Sequence, residues 1–90
     1  FVDTFGWVFY KKGLYPAAVE QLKKAIDRDE AGAARTGGAP TPVYRFHLGL
    51  ALAARGDKAG ARRELEAALA LSRRAPFAEA EEARKALATL

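Results

Sequence analysis

The chain has no cysteine and no methionine, and only one tryptophan, one histidine and one serine among its 90 residues. Without cysteine there is no disulfide and no thiolate ligand for a metal. A lone histidine, His47, has no second histidine with which to build a zinc site. No apolar run approaches the ~20 residues that span a bilayer, so no membrane insertion is expected. A signal-peptide pattern is missing too, and the chain begins at Phe1 in the middle of what reads as a helix. That start reads as a cut from a longer protein, with any targeting segment lost upstream. The compartment is left open, because cytoplasmic and periplasmic helical proteins both do without cysteine.

β-Branched residues are scarce, whereas alanine is the commonest residue and Leu, Glu, Lys and Arg are plentiful. These are the strong helix formers, and the expected fold class is all-α. Half of the residues are hydrophobic, enough for one small packed domain spanning residues 1–90. The net charge is +4, and the positive excess falls in residues 31–90. The basic residues are interspersed with carboxylates and form no block, which reads as a solvated surface. Nucleic-acid binding through Arg62, Arg63, Arg73 and Arg74 is the distant option, and it predicts steep salt dependence.

One pattern occurs twice. Phe5-Gly6, Phe9, Gly13, Ala18, Leu22 and Ala25 are matched by Leu48-Gly49, Leu52, Gly56, Ala61, Leu65 and Ala68, every pair at an offset of 43 residues. A register held over seven positions is the mark of an internal repeat. In chain order, residues 2–10 read as a first helix ended by Gly13. Tyr15-Pro16 opens a second, with proline at a position that needs no N–H. Its buried stripe is Ala18, Leu22, Ala25 and Ile26, while Glu20 and Lys24 pair on the wet side. Asp29 to Pro40, with four Gly or Pro residues, reads as a loop that Ala31–Arg35 extends from the helix only a little. Thr41-Pro42 caps a third helix reaching about Arg55, with Tyr44, Leu48 and Leu52 on its apolar side. Gly56-Asp57 turns the chain into a fourth, from about Lys58 to Arg74, burying Ala61, Leu65, Ala68 and Leu69. Ala75-Pro76 is expected to start a fifth helix, with Phe77, Ala80, Ala83 or Arg84, Leu87 and Leu90 as its stripe. This last helix lacks the glycine pattern and reads as a cap on the second pair.

These residues resemble the tetratricopeptide repeat, a helix-turn-helix of about 34 residues with the pattern W-x2-L-G-x2-Y…A-x3-F. The first copy reads Val2-x2-Phe5-Gly6-x2-Phe9…Ala18-x3-Leu22. The second reads Arg45-x2-Leu48-Gly49-x2-Leu52…Ala61-x3-Leu65. Neither copy has the family's final proline, and the extra spacing lies between the copies. The resemblance implies two antiparallel helix-turn-helix repeats plus a C-terminal capping helix, a fragment of a right-handed α-solenoid. Repeat one would cover about 1–30, the loop 31–40, repeat two about 41–74 and the cap 76–90. The stretches Asp3–Val8 and Tyr44–Gly49 look like the C-terminal end of bacterial tetratricopeptide arrays, some of which serve envelope or exopolysaccharide secretion. The Ala- and Arg-rich composition fits a GC-rich bacterial source.

Family members bind protein or peptide partners on the concave surface lined by the first helix of each pair. Carried over by position, that surface is Asp3, Trp7 and Tyr10, with Val43, Phe46, His47 and Leu50. Its aromatic and apolar character suits an amphipathic helix or an extended hydrophobic segment. Members that grip a terminal carboxylate use Lys and Asn there, and Asp3, Trp7, Phe46 and Leu50 argue against such a clamp. The plainer alternative packs Trp7 against Phe46 between the repeats and makes His47 a hydrogen-bonded structural residue, with Asp3 as a partner. The chain would then be a structural end-piece without a separate ligand. Phe1, Phe5, Val8 and Phe9 would be left bare at the other end, and self-association into a homo-oligomer through this face is expected.

No enzyme, cofactor or metal centre is expected. Ser72 stands beside Arg73 and Arg74 with nothing to bring His47 to it. Glu79, Glu81 and Glu82 read as a solvated helix face rather than a paired acid and base. Gly37-Gly38 lacks the Lys and the spacing of a phosphate loop.

Overall fold

Two turns made alike build the molecule. The structure, a computed structural model, describes residues 2–90, with side chains from Gly6 onward. Phe1 and the side chains of Asp3 and Phe5, named above as candidates, lie outside the described residues. Helix α1 is Val2–Lys11 and α2 is Tyr15–Thr36; α3 is Pro42–Arg55 and α4 is Lys58–Leu71. Gly13 and Gly56 both take a left-handed conformation, φ +78° and +97°, which a side chain would strain.

The bonds around these glycines repeat one for one. The N–H groups of Gly13 and Gly56 donate to the carbonyls of Tyr10 and Ala53, each at 3.0 Å. Those of Leu14 and Asp57 donate to Phe9 and Leu52, each at 2.9 Å. Those of Ala18 and Ala61 donate to Leu14 and Asp57, again at 2.9 Å. The first two bonds of each set form the Schellman turn that satisfies carbonyls at a helix end. The starts of α2 and α4 differ. Asp57 caps α4 by accepting from the Gly60 N–H at 2.9 Å, whereas Leu14 offers no side-chain cap and Pro16 sits in the first turn.

Turns this short make each pair of helices antiparallel. A glycine brings them close. A Cβ on Gly6 would fall 2.6 Å from Leu22 Cγ, and one on Gly49 would fall 2.8 Å from Leu65 Cγ. Among the described residues, Leu22 and Leu65 are the two largest side chains wholly shut off from solvent. Each contributes roughly 1.5–3 kcal/mol by leaving water. Helix α1 packs on α2, α2 on α3, and α3 on α4, with α1 also touching α3. The radius of gyration, 12.2 Å, is about that of a compact chain of this length.

The expected loop is largely helix. Helix α2 continues through Ala31–Arg35 to Thr36 and stops at Gly37, φ +75°. Alanines carry the extension, and its first turn is held from across the connection. Asp29 accepts hydrogen bonds from the Thr41 backbone N–H and, at 2.8 Å, from its hydroxyl. Thr41 therefore spends its side chain on α2 and not on capping α3.

The fourth helix ends at Leu71, three residues earlier than expected. The fifth, α5, is Ala80–Ala88 and does not begin at Pro76. Residues 72–79 form turns and an irregular segment, which lets the Phe77 ring reach Phe46, 6.0 Å between centroids. Helix α5 packs on α4 and buries Ala83 completely. Two apolar clusters result. One joins α2, α3 and the start of α4 through Val19, Leu22, Ile26, Leu48, Ala51, Leu52 and Ala61. The other joins α3, α4 and α5 through Phe46, Leu65, Ala68 and Ala83, with Leu90 touching both. The described residues form no strand, and no helix among them is long and apolar enough to cross a membrane.

Candidate functional site

Residues three apart in a helix share a face. Trp7 and Tyr10 do so on α1, with their rings parallel within 2° and 4.6 Å between centroids. His47 of α3 also stacks on Trp7, at 4.0 Å and 16°. The indole thus makes two stacked ring contacts, one within α1 and one to α3. Lys11 Nζ stands 5.6 Å from the Trp7 centroid, within the range of a cation–π contact. Ring contacts continue at both ends. Tyr15 lies 5.6 Å from Tyr10, and Phe46 lies 5.6 Å from His47 and 6.0 Å from Phe77. Six rings therefore run in file from the start of α2 across α1 and α3 to the segment before α5. Aromatic pairs of this kind contribute about 0.5–1.5 kcal/mol each beyond their buried area.

The file is open at one end and shut at the other. Tyr15, Tyr10, Trp7 and His47 are partly exposed. Phe46, expected on a surface open to a partner, is only 3% exposed. Phe77 and the α5 cluster close over it, and Val43 and Leu50 are half-buried against the same cluster. The His47 ring contacts both Trp7 and Phe46, the two residues whose direct packing was weighed from the sequence. Of the residues expected at the self-association face, Val8 is exposed, while Phe9 packs inward on the first cluster. Tyr15 and Phe77 join the file without a sequence signal. The turn that brings Tyr15 beside Tyr10 and the irregular segment that frees Phe77 are both tertiary outcomes.

Arg45 was also hidden in the sequence. Its side chain is half-buried and its guanidinium forks between two helices, reaching Glu30 of α2 and, at 2.8 Å, Glu64 of α4. Burial by itself pushes the guanidinium pKa down, but the hydrogen bonds and charges of Glu30 and Glu64 outweigh it and hold it above its ordinary value. The three side chains line an open cleft of about 230 Å³ with Lys23, Ile26, Asp27 and Leu48. Paired as they are, they tie α2, α3 and α4 together.

Ser72 donates its hydroxyl to the Leu69 carbonyl at 2.6 Å, which finishes α4. Arg62, Arg63, Arg73 and Arg74 are exposed along and beyond α4. Among the described residues no group of three or more His, Asp or Glu is placed to hold a metal ion. The open part of the ring file is a partly exposed aromatic surface. No family model, no curated protein and no solved structure matches this chain.

Proposed function

We propose that this chain is a non-catalytic protein-interaction module of the tetratricopeptide kind. It binds a helical or extended apolar segment of a protein partner across the open half of the ring file. The observation that supports this reading is the Tyr10–Trp7–His47 stack, pre-ordered and partly exposed. Rings already locked in place lose little conformational freedom when a partner settles on them. Aromatic anchors are also the side chains that dominate binding energy at interfaces.

Trp7 is the one tryptophan, so its emission reports directly on this surface. A panel of amphipathic and extended apolar peptides should include members that shift Trp7 emission saturably. Tyr10→Ala and His47→Ala should each weaken that binding about tenfold, measured at a temperature where both variants remain folded.

One observation favours a second reading, a structural end-piece. The chain's own Phe77 and α5 already occupy the Phe46 end of the surface. If no peptide shifts Trp7 emission and the same substitutions lower melting markedly, the end-piece reading takes over.

A further inference from the structure

The ring file does not end where it closes. Phe46 continues it from His47, 5.6 Å between centroids, and meets Phe77 next, at 6.0 Å and 51°. Phe46 is a ring of the same surface, and one of the chain's own rings lies on it. The way this cover is held differs from the rest of the fold. Directional ties run between α2 and α3, from Thr41 to Asp29 and from Arg45 to Glu30. Helix α5 is held by apolar side chains, Ala83, Ala86, Leu87 and Leu90. The ion pair of Arg84 with Glu81 stays within the helix. With nine residues, α5 is shorter than the ~12 at which a lone helix becomes marginal in water, so docking keeps it wound. The backbone is tied back to α4 as far as Ala75, whose N–H donates to the Leu71 carbonyl at 2.9 Å. Pro76 has no N–H to give. The bonds that follow, from Ala80 to Phe77 and from Ala83 to Glu79, are local to the segment. Residues 77–90 therefore form a unit that can lift away about Pro76 and leave the bonds within α1–α4 intact.

We propose that residues 77–90 are an internal competitor for the ring surface: they lay Phe77 on Phe46, and a partner's apolar segment that brings an aromatic side chain to that end takes their place. This rests on the reading of the open rings as a partner surface and adds the regulation of that surface. Apolar burial has no direction of its own, so one apolar segment can replace another there. Phe77 defines what the replacement must supply, a ring tilted on Phe46. While residues 77–90 are docked, a partner meets only the exposed rings, and its apparent affinity is scaled down by the fraction of chains with Phe46 open.

The test uses the whole chain and titrates it with apolar peptides that carry one phenylalanine, read by Trp7 emission. Two substitutions unseat the segment. Phe77→Ala removes the covering ring, and Ala83→Glu puts a carboxylate where α5 is wholly buried. Each should tighten peptide binding about tenfold. Hydrogen exchange should show α5 amides at least tenfold faster in both variants, with those of α2 and α3 unchanged. Adding Phe46→Ala should abolish the tightening, because the uncovered ring is then missing. If the parent binds and neither variant binds more tightly, although α5 exchange has quickened, the segment does not compete. The proposal then falls while the partner surface stands. It falls too if α5 exchange is unaltered by both substitutions. If no peptide binds any of the chains, the partner surface fails and this inference with it. Concentration-dependent dimerisation of the parent that Phe77→Ala abolishes would put a second copy's ring on Phe46 in place of a partner's, and would also overturn it.

Discussion

At the scale of single residues, a leucine packs directly under a glycine, and the arrangement is made twice. Gly49 faces Leu65 as Gly6 faces Leu22. Alanine favours a helix interior by roughly 1 kcal/mol over glycine, so Gly49→Ala should stabilise if space were the only question. Space decides against it. The new Cβ would lie 2.8 Å from Leu65 Cγ and 3.4 Å from the Ala61 carbonyl oxygen. Cγ is the branch point of a side chain with no exposed surface and cannot swing away. Overpacking of this kind costs about 1–3 kcal/mol. Gly49→Ala should lose about 1–2 kcal/mol in urea unfolding, and combining it with Leu65→Ala should cost less than the two losses added. A neutral Gly49→Ala would show that α3 and α4 separate freely there. This pairing was legible in the sequence because its constraint is local and recurs at a fixed offset. The ring file was legible only in part. Trp7, Tyr10 and His47, named together from the sequence, do stack, but whether Phe46 is open or closed depends on Phe77, 31 residues further on.

At the scale of elements, the helices that were misjudged are those whose ends are set from a distance. Asp29, Glu30 and Gly32 looked like the start of a loop. They belong to a helix because Thr41 and Arg45 take up the two carboxylates. Pro76 looked like a first-turn proline, yet the chain there bends to seat Phe77 and only later winds into α5. Arg45 is the element-scale tie, one guanidinium fork joining α2, α3 and α4. Lysine carries the same charge without the fork. Exposed pairs contribute about 0.2–1 kcal/mol and breaking a buried pair costs about 3–5 kcal/mol. Arg45→Lys keeps the charge at a half-buried site and should cost about 1 kcal/mol near neutrality. The alkaline dependence is sharper. Arg45 is raised above its ordinary value in the fold, so its contribution is complete below the unfolded-state pKa. It is lost only as pH climbs through the folded one, beyond the range where the protein is handled. A lysine titrates near ~10.4. The stability gap between parent and Arg45→Lys, measured by urea unfolding, should widen from about pH 9.5 to 11. A gap that stays flat would mean that charge at residue 45 does not hold the three helices.

At the scale of the whole molecule, helices that lean on their neighbours in sequence should not all open at one free energy. In stacked helical pairs each unit is stabilised by its own interior and by the unit beside it. Here α3 is the most enclosed element. It packs on α1, α2 and α4, and its Phe46 lies under Phe77 and the α5 cluster. Helix α1 has α2 behind it, the edge of α3 beside it and a bare flank at Val8. Helix α5 has nine residues, a single buried side chain and an irregular approach. Local opening follows such differences in enclosure. Native-state hydrogen exchange should therefore rank the amides of α3 and the middle of α2 as slowest, opening only with global unfolding. Those of α5 and α1 should exchange through smaller openings, about tenfold to a hundredfold faster. Uniform protection across all five helices would mean that the chain opens as one cooperative block, and that neither the bare flank nor the short seal is a weak point.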